Sequence, residues 1–106
     1  MITYVATLRR KPGTTREDFL NSWLGRHQQL ALALPYVQQV KFMPAVEVSN
    51  VSSEYDGVGL LEFRSVAELE ESLASEQALI LRADTATFAD TSGAARVVVS
   101  DSPQDY

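Results

Sequence analysis

Apolar and polar positions alternate along this chain at two periods, and the order of those periods predicts its elements. Residues 2–8, ITYVATL, are rich in β-branched and aromatic side chains and read as a strand. Ile2, Tyr4, Ala6 and Leu8 fall on one face; Thr3, Val5 and Thr7 fall on the other. Neither face is strongly polar, so both expect cover. RRKPG then punctuates the chain, with Pro12 and Gly13 as the turn. From Thr15 the period becomes helical. TRED places Thr15 at the N-cap and Asp18 at the third helical position, close to a capping box. Glu17 and Asp18 also suit the positive end of the helix dipole. The helix is expected to end near Leu34, because Pro35 disfavours helical backbone just before it.

Residues 36–48, YVQQVKFMPAVEV, predict a second strand with a bulge or an edge at Pro44. SNVSSE is a polar loop, YDG is a turn, and VGLLEF from Val58 to Phe63 is a third strand. Ser65 and Glu68 form an S-x-x-E capping box that opens a helix at VAELEESLA. Ser75 is placed to interrupt that helix, and EQALILRADTATF continues as a further helical piece. ARVVV, from Ala95 to Val99, is the fourth strand, and an acidic tail runs to Tyr106. The order is β-α-β-β-α-β, an α+β ferredoxin-like arrangement with a four-stranded antiparallel sheet, in one domain over residues 1–106. Both crossovers carry helices, so the helices should share one face of the sheet. Nothing in the chain is left to cover the other face. Pairing two such sheets face to face would cover it, so a homodimer is expected.

The first helix holds the chain's only tryptophan, Trp23, and its only histidine, His27. Each helical residue advances about 100° around the axis. With Phe19 at zero, Leu30, Trp23, Leu34, His27, Leu20, Ala31 and Leu24 follow at roughly 20, 40, 60, 80, 100, 120 and 140°. Asn21, Ser22, Gly25, Arg26, Gln28 and Gln29 occupy the opposite half; only Leu32 and Ala33 break the pattern. His27 therefore sits near the middle of the apolar face. Burial lowers an imidazole's pKa, and a neutral ring still needs partners for one donor and one acceptor. Backbone carbonyls, Tyr4, a carboxylate such as Asp56 or Asp84, or a bound ligand could supply them. Two readings stay open: a satisfied core histidine, or the protein's one proton-transfer group.

Other residues carry similar pairs of readings. Trp23 is core or a ligand platform. Asp56 is a turn former or a ligand contact. Arg9, Arg10 and Lys11 are a solvated turn or an anion-attracting cluster. Glu68, Glu70 and Glu71 read as a solvated helix face.

Composition excludes several classes of function. Of the 106 residues, 45% are hydrophobic and 22% charged, as in ordinary globular domains. The formal charge is −5 and no Lys or Arg run occurs, which argues against nucleic acid and anionic membranes as partners. No apolar stretch is long enough to span a bilayer, and the N-terminus lacks the charge-then-apolar order of a signal peptide. Without cysteine there is neither a disulfide framework nor a thiol nucleophile, and a cytoplasmic protein is the simplest expectation. One histidine and no cysteine make a zinc site unexpected, so no metal is assigned. G-x-S-x-G, P-loop and G-x-G-x-x-G motifs are absent. An apolar pocket between the first helix and the sheet is left, with His27 and a tyrosine as its polar points. It would suit a small hydrophobic ligand carrying one or two oxygens.

The chain resembles the EthD family of dimeric α/β-barrel proteins. The resemblance rests on ordered features: an N-terminal strand and RRKPG; TREDFLNSW followed by His27; Leu34-Pro35; YDGVGLLEF at 55–63; LASEQALILRAD ending at Asp84; then FAD at Phe88 to Asp90 and the last strand. It covers nearly the whole chain. It implies ferredoxin-like monomers whose sheets pack into a barrel across a dimer. The superfamily it is similar to includes polyketide cyclases, monooxygenases, muconolactone isomerases and heme-degrading enzymes. The family position carried over is the histidine of W-x-x-x-H, His27. Gly59 and Leu61 depart from the family pattern, which would reshape the pocket.

Together these readings give a cofactor-independent enzyme acting on an oxygenated cyclic or aromatic substrate, polyketide- or lactone-like. His27 would be the general acid or base for cyclisation, isomerisation, dehydration or decarboxylation. Tyr4, Trp23, Tyr36, Asp56, Asp84 and Phe88 are the expected substrate-binding residues, with Tyr4 or Tyr36 as donor to a developing oxyanion. The alternatives are a non-catalytic binding or accessory protein of a degradation pathway, a structural dimer with a filled cavity, and a heme-binding or monooxygenase-type protein.

Overall fold

The computed structural model describes residues 1–101; the tail to Tyr106 lies outside them. The elements are β1 (Ile2–Leu8), α1 (Arg16–Ser22), a π-helical turn (Trp23–His27), α2 (Gln28–Leu32), β2 (Gln39–Pro44), β3 (Gly57–Phe63), α3 (Val66–Leu73), α4 (Glu76–Phe88) and β4 (Arg96–Ser100). The sheet order is β2-β3-β1-β4, and every pairing is antiparallel. This is the expected ferredoxin-like α+β fold.

The helix starts follow the cap chemistry of the sequence. Thr15 Oγ1 accepts from the Asp18 N–H at 3.1 Å, and Ser65 Oγ accepts from the Glu68 N–H at 3.2 Å. Ser75 ends α3 and begins α4. Its hydroxyl donates to the Ser72 carbonyl at 2.6 Å and accepts from the Ala78 N–H at 3.2 Å.

Two expectations are corrected. The second strand starts at Gln39, not at Tyr36, because Tyr36 takes a left-handed φ of 65° after Pro35 and turns the chain there. It also stops at Pro44, which has no N–H to extend a ladder. The first helix, moreover, is not a uniform α-helix. Trp23–His27 widen into a π turn around Gly25, and the Gln28 N–H reaches back to the Trp23 carbonyl. Leu24, at the edge of the apolar face, is exposed.

Strand register sorts the two faces of the sheet. Tyr4 opposes Leu61 and Val98, and Ala6 opposes Gly59 and Arg96; these residues, with Val40 and Phe42, face the helices. Two apolar clusters form against that face. One joins Ala31, Leu34, Leu61, Phe63, Leu69 and Ala78; the other joins Leu8, Phe19, Trp23, Phe88 and Ala89. Phe42 packs against both. The opposite face presents Val5, Val58, Leu60, Met43, Val97 and Val99, and none of the described helices covers it.

Gly57 fixes how closely Trp23 approaches the sheet. A Cβ there would overlap Cη2 and Cζ3 of the indole and lie 3.0 Å from the Met43 carbonyl oxygen. Neither the buried ring nor the ladder backbone can give way cheaply. Gly57→Ala is therefore expected to destabilise the fold by about 1–3 kcal/mol, the range for overpacking a core. Urea unfolding checks this, and an unchanged midpoint would contradict the packing described.

Candidate functional site

His27 leaves the π turn on its buried side, and Asp84 leaves α4 toward it. Helical spacing accounts for Asp84: Ala78, Leu81 and Thr85 of α4 line a cavity, and Asp84 sits one position round, toward the first helix. His27 Nδ1 lies 3.0 Å from Asp84 Oδ2, and both residues are buried, at 6% and 9% exposure. Arg26 Nε donates to the other carboxylate oxygen, Oδ1, at 3.0 Å. Consecutive residues thus grip one carboxylate, and the π turn is where the helix brings both within reach. π turns recur at functional sites for this kind of re-aiming.

The pair fixes the imidazole. A carboxylate paired with a guanidinium only accepts, so the proton sits on Nδ1. The ring stacks on Phe42, with centroids 5.9 Å apart, and meets Phe88 edge-on at 4.9 Å. Burial pushes the His27 pKa below its ordinary 6.5; the hydrogen bond and charge of Asp84 oppose that shift without cancelling it. Among the described residues Nε2 has no hydrogen-bond partner, yet it is not sealed off as an unpaired buried atom. His27 lines the cavity, and with Nδ1 bonded to Asp84 and the ring against Phe42 and Phe88, the Nε2 edge is the one left to meet it.

That cavity has a volume of about 250 Å³ and lies between the helices and the sheet. Its interior wall is Trp23, Phe42, Gly59, Leu61 and Ala31, with Tyr4 and His27 as polar points. Gly59 leaves room there, since a Cβ would already stand 3.4 Å from the Phe42 ring. The expected site residues therefore separate into three groups. His27, Tyr4 and Trp23 line the cavity; Asp84 and Phe88 hold the imidazole from behind and beside.

Tyr36 and Asp56 fall elsewhere. Tyr36 is exposed beside Glu71, whose carboxylate accepts from its hydroxyl and raises its pKa. Asp56 staples a turn: Oδ2 accepts from the Arg10 N–H at 2.8 Å, and its own N–H donates to the Leu8 carbonyl at 2.7 Å. Its YDG setting is that of a turn former, and the cavity lining does not include it. The sequence reading missed Arg26 and Phe42. Strand alternation from Val40 would have placed Phe42 on the helix-facing side, but nothing in WLGRH announces the π turn that swings Arg26 onto Asp84.

Among the described residues no three His, Asp or Glu side chains converge as a metal ion would require. No helix there is long and apolar enough to cross a membrane.

Residues 11–92 match the family model of the EthD domain. This chain belongs to the EthD family. The solved EthD-family protein BH0200 of Bacillus halodurans superposes with a TM-score of 0.79 at 14% identity, over 95% of this chain and 99% of that one. A dimeric ferredoxin-like protein of unknown function from Jannaschia gives 0.71 at 16% identity, over 93% and 97%. SnoaB of Streptomyces nogalater, a cofactor-independent oxygenase solved as a point mutant, gives 0.68 at 10% identity, over 97% and 94%. At these identities the likeness of an EthD domain to such proteins is one of fold. No curated protein matches this one in sequence.

Proposed function

We propose that this EthD domain is a cofactor-independent enzyme. It moves a proton on a small, hydrophobic, oxygenated cyclic or aromatic substrate, with His27 as general base and then general acid. One observation carries the reading: the only histidine is buried and neutral, held at Nδ1 by Asp84, with Nε2 facing an apolar cavity. Nε2 takes a proton from an acidic C–H or O–H of the substrate. The imidazolium formed is stabilised through its Nδ1–H by the Asp84 carboxylate, and it returns the proton to a different atom of the same substrate. Enolisation, isomerisation and dehydration share this step. The Tyr4 hydroxyl, on the cavity wall, is the donor available to an oxygen that gains charge in the process. Asp84 and Arg26 position the base and do not touch substrate. The fold shared with a cofactor-independent oxygenase supports a site of this size doing chemistry with side chains alone.

The test needs no knowledge of the natural substrate. The ketone 2-tetralone has acidic hydrogens beside its carbonyl, and their exchange in deuterium oxide is read by proton NMR. The protein is expected to accelerate that exchange over buffer, and His27→Gln to abolish the acceleration. Equal rates with the wild type and the variant would sink the reading.

The same reading includes a second copy of the chain on the open face of the sheet. Val97 and Val99 are 54% and 43% exposed on edge strand β4, beside Val5, Val58 and Leu60 on the same face. Lys41, opposite Leu60, and Glu62, opposite Thr3 and Gln39, border this apolar patch, and a patch of this kind is ordinarily covered. The fold is shared with proteins described as dimeric. Val97→Asp is expected to convert a dimer into a monomer by light scattering, leaving the helical circular dichroism in place. A wild-type monomer at micromolar concentration would contradict the pairing.

A further inference from the structure

The cavity's wall carries charges that the proton-transfer reading does not use. The stripe of α4 that faces it runs Ala78, Leu81, Arg82 and Thr85, and Arg82 is its one charged member. On the opposite wall Arg96 of β4 pairs with Ala6 and so projects to the helix-facing side of the sheet. Both arginines are exposed, so they stand at the mouth, whereas His27 lies at the buried end. Arg82 Nη1 donates to the Leu73 carbonyl at 3.2 Å, which steadies the side chain, and among the described residues its other donors have no partner. Neither arginine is in an ion pair among the described residues, although Arg10 and Arg26 each have a carboxylate.

Asp90 is the one carboxylate in the lining among the described residues, and it is hydrogen-bonded locally. It accepts from the Ser92 hydroxyl at 2.6 Å and the Ser92 N–H at 3.0 Å, which hold its carboxyl below the usual range. Those bonds keep Asp90 charged, so in a chain of formal charge −5 the described lining carries two guanidinium charges, Arg82 and Arg96, against one carboxylate.

We propose that the ligand is an apolar ring bearing a carboxylate, with the ring against Trp23 and Phe42 and the carboxylate between Arg82 and Arg96. The inference rests on the cavity being a ligand site, as proposed above, and adds the charge of what enters it. Guanidinium groups match a carboxylate's two oxygens as a neutral amide cannot. Partial exposure keeps the gain modest, and salt reduces it.

A matched pair of probes tests this: 1-naphthoate and its uncharged amide, 1-naphthamide, titrated at low ionic strength into 15N-labelled protein. The lone histidine and lone tryptophan report the cavity without ambiguity. Naphthoate is expected to bind about tenfold more tightly than naphthamide. Arg82→Gln and Arg96→Gln should each reduce that preference, and the double variant should remove it without changing naphthamide binding. Thermal melts confirm that these exposed variants remain folded. Equal affinities in the wild type, no binding of either probe at millimolar concentration, or a preference that survives the double variant would overturn the proposal. Equal affinities in the wild type while both probes still shift His27 Nε2 count against the arginines alone. A wild-type preference that the double variant removes, with His27 undisturbed by either probe, counts against the proton-transfer reading alone.

Discussion

His27→Gln is expected to slow proton exchange in the cavity by about 10²–10⁴-fold, the contribution of a positioned acid–base group. Glutamine approximates the imidazole's size and can keep a hydrogen bond to Asp84, so folding should survive and the loss should fall on the rate. Asp84→Asn is the informative companion. An amide can still bond Nδ1, but it can present its NH2 and favour the wrong tautomer, and it carries no charge to stabilise the imidazolium. Its rate should fall too, while naphthamide binding stays as it was. The pH profile gives a further sign. The base works only when neutral, and burial lowers its pKa. Activity should therefore persist as the pH drops below 6.5 and be lost only as the lowered pKa is crossed. An acid limb at or above that value would mean that Asp84's charge outweighs desolvation.

Trp23→Ala is expected to cost about 3–5 kcal/mol, the range for deleting a large aromatic from a core. The indole is wholly buried, lies against Gly57, stacks on Phe42 at 5.0 Å and packs on Phe19 at 5.5 Å. It holds the π turn against the sheet at the position that presents His27. Domains of this size keep about 5–15 kcal/mol of stability, so such a loss removes a large part of it. Chemical denaturation measures the cost. A loss below about 1 kcal/mol would mean that the surrounding core collapses into the space, which the tight Gly57 contact argues against.

The two substitutions probe features that the sequence revealed unequally. Element order, caps and the buried face of the first helix follow from local chemistry: Thr15, Ser65 and Ser75 each cap the helix they announce. His27 on the apolar face follows from its spacing to Phe19 and Trp23, and Asp84 is among the partners the sequence offers it. What was not legible depends on tertiary packing. The π turn adds width that no residue type in WLGRH encodes, and it decides that Arg26 reaches Asp84. The choice between Asp84 and Asp56 needed the fold, because Asp56 meets its partners in the Arg10 and Leu8 backbone across a turn. Tyr36 was displaced by a backbone turn that cut the second strand short.

The orientation of the His27 ring is the point on which chemistry and packing meet. Long-range 1H–15N NMR of the labelled side chain reads it directly, since no other histidine contributes signals. The account predicts a neutral ring at pH 7 with the proton on Nδ1, and an Nε2 signal that shifts when 1-naphthoate enters the cavity. A proton on Nε2, or a doubly protonated ring at pH 7, would contradict it.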